Sequence, residues 1–315
     1  MSADAGEPEV VLRLNAITRR FGSLIANDAI SLELRRGEIV ALLGENGAGK
    51  TTLMNILFGH YVADAGDIEA FGKPLPPGEP RAAIAAGIGM VHQHFTLADN
   101  LTVLDNIILG TESLWRVTSD RGRARRRIAE LSRAFGLAVD PDATVAALAV
   151  GERQRVEILK ALYRDARILI LDEPTAVLTP QEADQLFLTL ERLAGEGCAV
   201  LYISHRLEEV KRLCHRATIL RHGRVVAETD PRQETAASLA RLMVGSDIAV
   251  VRPKRTEGDG RTGLRLARLS QPAAGPFAVA LKDIDLEVRH GEVLAIAGVA
   301  GNGQGELFDA LSGER

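Results

Sequence analysis

The chain of 315 residues is 46% hydrophobic, which is enough to bury the cores of about two domains. Its formal net charge of -4 gives no electrostatic case for nucleic-acid binding. The two cysteines lack the spacing of a metal or redox pair and fit a reducing compartment. Without a signal-peptide pattern or an apolar run of roughly 18 residues, the sequence predicts a soluble protein.

Two segments near the start, residues 10–14 and 30–34, partly alternate apolar and polar side chains and are predicted as antiparallel strands. Between them, Phe21 stands directly before a glycine. This ring could fill the core, or it could stack on an adenine base, since such stacking contributes about 1–3 kcal/mol. Both interpretations stay open from the residues alone.

A glycine-rich loop at residues 44–52 follows the apolar run 39–43 and precedes a helical pattern at 53–57. Glycines let successive backbone N–H groups turn toward phosphates, and the helix presents its positive end to the same anion. Lys50 is placed to bridge the β- and γ-phosphates, and the Thr51 hydroxyl to bind Mg²⁺. The predicted phosphate site comprises Gly44, Glu45, Asn46, Gly47, Ala48, Gly49, Lys50, Thr51 and Thr52.

Residues 88–91 are predicted as a strand that leads into His92, Gln93 and His94. The two histidines are spaced like metal ligands, but no third ligand follows at a usable spacing, so a metal site of that kind is not expected. Gln93 is better placed, because the end of a strand beside a phosphate loop can reach Mg²⁺ or an attacking water.

Residues 97–165 change to helical periodicity and are predicted as a helical insertion between strands. The arginine-rich run 121–127 is interpreted as the solvated face of a helix, with nucleic-acid or lipid-headgroup binding as the weaker alternative. Residues 148–154 then open a strong helical pattern that reaches Leu162. The glycine in this segment is, by itself, also typical of a simple helix cap.

An apolar strand at residues 167–171 ends in Asp172 and Glu173. Beside a phosphate loop, Asp172 can hold the Mg²⁺ shell and Glu173 can deprotonate a water in line with the γ-phosphate. A further strand, residues 198–203, ends near His205. Ligands bind at the carboxyl ends of such strands, so a γ-phosphate contact is predicted for this histidine.

From residue 264 onward, after a predicted linker at 246–263, the chain repeats its beginning at the offset that separates Gly44 from Gly298. The pairs at this offset are Gly37 and Gly291, Glu38 and Glu292, Ala41 and Ala295, Gly44 and Gly298, Gly47 and Gly301, Gly49 and Gly303, Leu53 and Leu307, Leu57 and Leu311, and Gly59 and Gly313. In the copy, Gln304, Gly305 and Glu306 replace Lys50, Thr51 and Thr52. The second loop has therefore lost its cation and its metal-binding hydroxyl.

Taken in order, these motifs resemble the ATP-binding cassette of ABC transporters. The resemblance covers residues 10–245 and resumes from residue 264. Residues 151–163 and 172–182 are, more narrowly, similar to the tandem-cassette ATPases of bacterial simple-sugar and nucleoside importers. The implied fold is α/β, a P-loop NTPase cassette with an antiparallel β subdomain and a helical insertion, followed by the start of a second cassette.

The resemblance also implies domains and roles. It divides the chain into a nucleotide-binding domain at 1–245 with a helical subdomain at about 97–165, a linker at 246–263, and a degenerate, truncated second cassette at 264–315. The implied catalytic residues are Glu173 as base, His205 as switch, Gln93 and Lys50. Phe21 and the phosphate loop would hold ATP, and the implied metal ligands are Thr51, Gln93 and Asp172.

The signature motif implied by the family departs from the usual Leu-Ser-Gly-Gly-Gln and comprises Leu148, Ala149, Val150, Gly151, Glu152 and Gln154. Ala149 lacks the serine hydroxyl that would touch the γ-phosphate. Val150 crowds a backbone approach that glycine would allow. A weakened signature is therefore expected.

The implied function is that of an ATP-hydrolysing subunit, with ATP and Mg²⁺, that energises import of nucleosides or simple sugars. It would lie peripherally on the cytoplasmic side of the inner membrane, contacting permease subunits through its helical insertion. An extracytoplasmic substrate-binding protein would act indirectly, a second cassette would pair in cis or in a homodimer, and nucleic acid is not an expected partner. The alternatives are a soluble tandem-cassette ATPase acting on ribosomes or DNA, an exporter subunit, and a P-loop kinase or GTPase.

Overall fold

The computed structural model describes residues 8–93, 95–111, 120–245, 261–273, 278–298 and 302–314. The chain divides into two compact units, Met1–Ile248 and Ala249–Arg315. His94, a candidate ligand in the sequence, lies outside the described residues. No helix in these ranges is long and apolar enough to cross a membrane.

The first unit alternates strands and helices. Its strands are Val10–Phe21 (β1), Leu24–Arg35 (β2), Ile39–Leu43 (β3), Ala65–Ala70 (β4), Lys73–Pro74 (β5), Ile88–Val91 (β6), Ile168–Asp172 (β7), Ala199–Ile203 (β8), Arg216–Arg221 (β9) and Arg224–Thr229 (β10). Its helices are Lys50–Leu57 (α1), Pro80–Ala85 (α2), Val103–Ile108 (α3), Arg121–Phe135 (α4), Val150–Tyr163 (α5), Pro180–Gly195 (α6), Leu207–Leu213 (α7) and Ala236–Val244 (α8).

A six-stranded sheet of order β10-β9-β3-β8-β7-β6 forms the centre of this unit. Neighbouring strands from β9 to β6 are parallel, and β10 is antiparallel to β9. Leu42 of β3 is paired with Ile203 of β8, which is paired with Asp172 of β7. The segments that follow these strands therefore emerge at one edge of the sheet, where α/β folds bind ligands.

Both faces of the central sheet are covered. Along β3, Ile39, Ala41 and Leu43 pack with the helical layer, whereas Val40 and Leu42 pack toward α1 and the antiparallel sheet of order β2-β1-β4-β5. Alternate side chains of a strand point to opposite faces, and burial on both faces explains why β3 is a continuous apolar run. The predicted α/β cassette fold is confirmed.

The hairpin of β1 and β2 is longer than the sequence pattern predicts. Its ladder passes several register shifts and continues until Phe21 pairs with Leu24. Because such bulges let a ladder continue through an irregular pattern, Phe21 ends a strand and does not lie on a loop.

In the helical insertion, the arginine-rich run 121–127 is helical, as predicted, and forms the first half of α4. The arginines of α4 are exposed, whereas Ala124, Ile128 and Leu131 are buried.

The second unit contains the antiparallel strands Thr262–Gln271 (β11) and Leu281–Arg289 (β12) and the helix Gln304–Ser312 (α9). It repeats details of the first unit. The Arg35 N–H donates to the Glu38 carboxylate at 3.0 Å, and the Arg289 N–H donates to Glu292 at 2.8 Å. Residues 292–298, which correspond to β3 and its flanks, do not form a strand.

Candidate nucleotide site

The phosphate loop leaves the buried strand β3 and enters α1 through glycines in conformations that other residues rarely adopt. Gly44 has φ 157° and Gly49 has φ 102°. A Cβ on Gly49 would lie 2.3 Å from the carbonyl oxygen of Ala26. The fully buried Asn27 donates from Nδ2 to the Gly49 carbonyl at 3.0 Å. The backbone path of the loop is therefore fixed by close packing from β2.

Lys50 begins α1 and lies in the mouth of this loop. Its Nζ donates to the carbonyl oxygens of Gly44 and Glu45, at 2.7 and 2.9 Å. Partial burial lowers the pKa of Lys50, and the negative charges of Glu173 and Asp172 oppose that change. A half-buried cation beside exposed loop residues fits an anionic ligand such as a polyphosphate.

Asp172 ends β7, and Glu173 follows it at the same edge of the sheet. Burial and the neighbouring Glu173 charge raise the pKa of the Asp172 carboxyl, and Lys50 opposes the change. Glu173 has φ 48°, a left-handed conformation unusual for a residue with a side chain, and its N–H donates to the Ile203 carbonyl at 2.9 Å. Such backbone conformations cluster at functional sites, because the surrounding structure must hold them in place.

His205, just past the end of β8, contacts the predicted base directly. Its Nδ1 lies 2.6 Å from Oε2 of Glu173, and its ring is 63% exposed. A contact this short between a ring nitrogen and a carboxylate oxygen is a hydrogen bond, and it links the two side chains directly. The structure thus brings together two residues that the sequence assigned to separate strands.

Phe21 is 41% exposed, so it does not fill the core. The ring of Tyr61 meets it edge-on at 5.7 Å, and the Arg19 guanidinium lies 4.9 Å from its centroid. Gln93 is exposed two residues beyond β6, and Thr51 is exposed on the first turn of α1. These three predicted site residues are therefore all accessible to a ligand.

The signature motif runs from Leu148, just before α5, into the first turns of that helix. The Ala149 N–H donates to the Glu152 carboxylate at 2.9 Å, but an alanine cannot return the second bond of a capping box. Gly151 is buried against the carboxylate of Glu182, which a Cβ at position 151 would strike. Gln154 is 4% exposed, and its Nε2 has no hydrogen-bond partner among the residues that the structure describes. Leu148 and Val150 are more open.

Three supporting residues were missed by sequence analysis. Asn27 braces the phosphate loop from 22 positions away, and Glu157 holds Thr96 from 61 positions away. Neither has a local pattern that would single it out. Glu182 does have a local pattern, because Thr179-Pro180-Gln181-Glu182 is typical of a capping box at the start of α6. In the structure its carboxylate accepts a hydrogen bond from the Thr179 N–H at 2.9 Å.

The oxygen atoms of Thr51 and Asp172 suit Mg²⁺ better than they suit a metal ion whose ligands all come from the protein. The described ranges contain no group of three or more His, Cys, Asp or Glu side chains that could hold a metal ion. Mg²⁺ commonly takes one or two protein oxygens and completes its shell with phosphates and water. The exposed hydroxyl of Thr51 and the half-buried carboxylate of Asp172 suit this arrangement.

Comparison with known proteins gives the family. Residues 27–176 match the family described as ABC transporter. The chain is 44% identical over 306 residues to the nucleoside import ATP-binding protein NupA of Lactococcus lactis subsp. cremoris, covering 97% of this chain and 60% of that protein. It is 44% identical over 335 residues to the glucose import ATP-binding protein TsgD13 of Haloferax volcanii, covering 98% and 61%.

The fold also matches solved structures. A crystal structure of MJ1267, an ATP-binding cassette of an ABC transporter, has a TM-score of 0.67 and 26% identity, covering 75% of this chain and 98% of that one. The chain spans about 60% of the length of the two curated relatives. The strand order, the phosphate loop and these matches agree, and the chain therefore carries an ATP-binding cassette of the ABC transporter family.

Proposed function

We propose that this chain is the ATP-binding and ATP-hydrolysing subunit of an importer for nucleosides or simple sugars. The observation that carries the proposal is the shared sheet edge, where the loop around Lys50, the carboxylates of Asp172 and Glu173, and His205 follow neighbouring strands. The substrate class rests on relatives named for nucleoside and glucose import.

In this function the loop residues Gly44–Thr52 bind the phosphates through backbone N–H groups, with Lys50 between the β- and γ-phosphates. Phe21 supplies an exposed aromatic face for the adenine. Tyr61 fixes the tilt of that ring by its edge-on contact. Binding therefore uses one end of the antiparallel sheet and the edge of the parallel sheet together.

For hydrolysis, the Glu173 carboxylate accepts a proton from a water as the water oxygen bonds to the γ-phosphorus and the bond to the β-phosphate oxygen breaks. His205 orients Glu173 through their 2.6 Å contact. Thr51, Gln93 and Asp172 would hold Mg²⁺. When bound, the ion neutralises charge on the phosphate oxygens.

In the assembly, this subunit lies on the cytoplasmic side of the inner membrane and contacts permease subunits through the helical insertion at about 97–165. A second cassette completes each ATP site, and a substrate-binding protein acts through the permease. A soluble ATPase on ribosomes or DNA is less consistent with the net charge of -4 and with Gln304 in place of the second lysine.

The site assignments are tested by separating binding from turnover. Lys50→Ala should raise the Kd for ATP by about 10-fold or more, because it removes a charged phosphate contact. Glu173→Gln should leave the Kd unchanged and lower kcat by about 10²–10⁴-fold, the contribution typical of a general base. Exposed Glu191→Gln on α6 is the matched control. A Kd that rises equally in both site variants would remove the base role from Glu173.

The transport assignment needs a separate measurement. Cells that lack this chain should lose uptake of a labelled nucleoside or simple sugar, and Glu173→Gln should fail to restore the uptake. Normal uptake of every nucleoside and simple sugar tested would contradict the importer assignment while leaving ATP hydrolysis intact.

A further inference from the structure

A cavity of about 340 Å³ lies at the end of the central sheet opposite to the nucleotide site. Two residues that line it, Arg167 and Cys198, directly precede β7 and β8. Asp172 and His205, in contrast, lie at or beyond the carboxyl ends of those two strands. A ligand in this cavity would therefore be a second ligand, separate from the nucleotide.

Three parts of the first unit meet around the cavity. The antiparallel sheet contributes Val11 and Phe71. The helical insertion contributes Phe135 and Leu162, and α6 contributes Leu193. These five side chains form an apolar wall. Small-molecule sites are common at such junctions, have volumes of about 300–1,000 Å³ and are lined mainly by apolar side chains. The cavity therefore has the size and lining of a site for a small ligand that carries an apolar group.

Two arginines at the cavity are held by their neighbours. The guanidinium carbon of Arg167 lies 3.7 Å from the centroid of the Phe71 ring. The Arg36 side chain lies against Gly197, where an added Cβ would come within 2.8 Å of its Nε. A guanidinium stacked on a ring keeps the N–H groups at its edge for an acceptor, and this fork matches a carboxylate. The cavity can therefore bind a carboxylate group.

Two carboxylates offset the charge of these arginines. Glu9 and Glu196 also line the cavity and, like Arg36 and Arg167, they are exposed. Within the described ranges, none of these four side chains forms an ion pair or a hydrogen bond. A simple anion would be attracted by the arginines but repelled by the carboxylates. A ligand with one negative and one positive group can pair with both kinds of charge.

We propose that this cavity binds a zwitterion with an apolar side chain, namely an α-amino acid such as leucine or phenylalanine. Arg36 and Arg167 bind its carboxylate. Glu9 and Glu196 bind its ammonium group, and its side chain packs on the apolar wall. The inference does not rest on the proposed function, because no residue of the nucleotide site takes part.

The test measures binding of L-phenylalanine to the whole chain by calorimetric titration without nucleotide. The wild-type chain should bind with a Kd of about 1 mM or lower. Arg36→Met and Glu196→Gln should each raise the Kd by about tenfold, because each removes a charged partner of the ligand. Both positions are exposed, so the variants should fold. Exposed Arg133→Met on α4, which does not line the cavity, is the matched control and should change the Kd by less than about twofold.

Ligands that lack one charge identify which residues recognise it. Phenylalanine amide has no carboxylate and N-acetylphenylalanine has no ammonium group, so each should bind the wild-type chain about tenfold more weakly. Arg36→Met should then weaken binding of the amide by no more than about twofold, and Glu196→Gln should do the same for the acetyl derivative. Such non-additive losses show that the protein group and the ligand group contact each other.

Three outcomes would overturn the inference. The first is no binding of phenylalanine, leucine or isoleucine up to about 10 mM. The second is an unchanged Kd in Arg36→Met and Glu196→Gln, because the charges would then play no part. The third is binding of N-acetylphenylalanine as tight as that of phenylalanine, since the site would then recognise a simple anion. None of these outcomes bears on ATP binding, so the proposed function is tested separately.

Discussion

At the scale of single residues, the site holds the cation of Lys50 and the carboxylates of Asp172 and Glu173 in a partly buried environment. Burial disfavours charge on Lys50 and on Asp172 alike, so their pKa values move in opposite directions. Their mutual attraction only partly offsets that effect. The site therefore holds charges that a folded protein would otherwise leave in water, which is characteristic of functional sites.

The raised pKa of Asp172 has a consequence for stability. A carboxyl whose folded pKa exceeds its ordinary value of 3.8 favours folding when protonated, and this stabilisation is lost as the pH rises through the folded pKa. Asp172→Asn should therefore have a higher Tm than wild type at about pH 7, and the difference should shrink as the pH falls toward about 4. Thermal unfolding without nucleotide across this range measures it.

Asp230→Asn is the matched control, because Arg232 lowers the pKa of Asp230 and this ion-paired carboxylate favours folding when ionised. Its replacement should not raise the Tm at about pH 7. A Tm gain for Asp172→Asn that is the same at every pH would show that the gain does not come from ionisation.

At the scale of elements, the apolar runs before the two glycine loops, residues 39–43 and 293–297, have similar sequences and different environments. Ile39 at the start of β3 is 1% exposed, whereas Val293 at the corresponding position is 96% exposed. β3 is held by β8 and β9, which come more than 150 residues later in the chain. The described part of the second unit offers β11, β12 and α9. Within the described part of this unit, its apolar run therefore has no parallel neighbour.

Residues 264–315 should consequently show weak protection in hydrogen exchange. About 50 residues rarely bury enough apolar surface to be stable alone, and Val293, Leu294 and Ile296 are at least 43% exposed. Amides of residues 292–312 should exchange faster by about 10²-fold or more than those of residues 38–60. The internal control is β8, which has no exposed residue. Equal protection of the two segments would contradict this prediction, because it would mean that residues 292–312 are as stably folded as residues 38–60.

At the scale of the whole molecule, the sequence departs from the family pattern in two places, the signature motif and the second phosphate loop. In this family each ATP lies between the phosphate loop of one cassette and the signature of another. The intact loop with Lys50 would then need the signature of another cassette, whereas the second loop of this sequence carries Gln304 in place of the lysine. We expect an asymmetric protein with one competent site.

This chain alone should accordingly hydrolyse ATP at least about tenfold more slowly than a version extended through a complete second cassette. The expected cause is the missing signature, so the Kd of the isolated chain should change less than its kcat. Turnover per chain, measured over a range of protein concentrations, checks this. Comparable rates that scale linearly with concentration would contradict the asymmetric arrangement.

Much of the local structure could be predicted because its causes are local. The glycines of the phosphate loop, the Thr179 cap with Pro180 that starts α6, and the period of α4 all act within a few residues. The glutamine at position 304, where the first loop has Lys50, is likewise read directly from the sequence. From such signals the sequence by itself determined the fold class, the order of the motifs and the predicted site residues.

Only the tertiary structure decided which of these pieces meet. It places the ends of β3, β7 and β8 at one edge, joins His205 to Glu173, and holds Thr96 with Glu157. It also leaves residues 292–298 without a strand although their pattern matches β3. The hydrogen-bond partners and packing neighbours that decide these contacts are distant along the chain, and no local periodicity can report them.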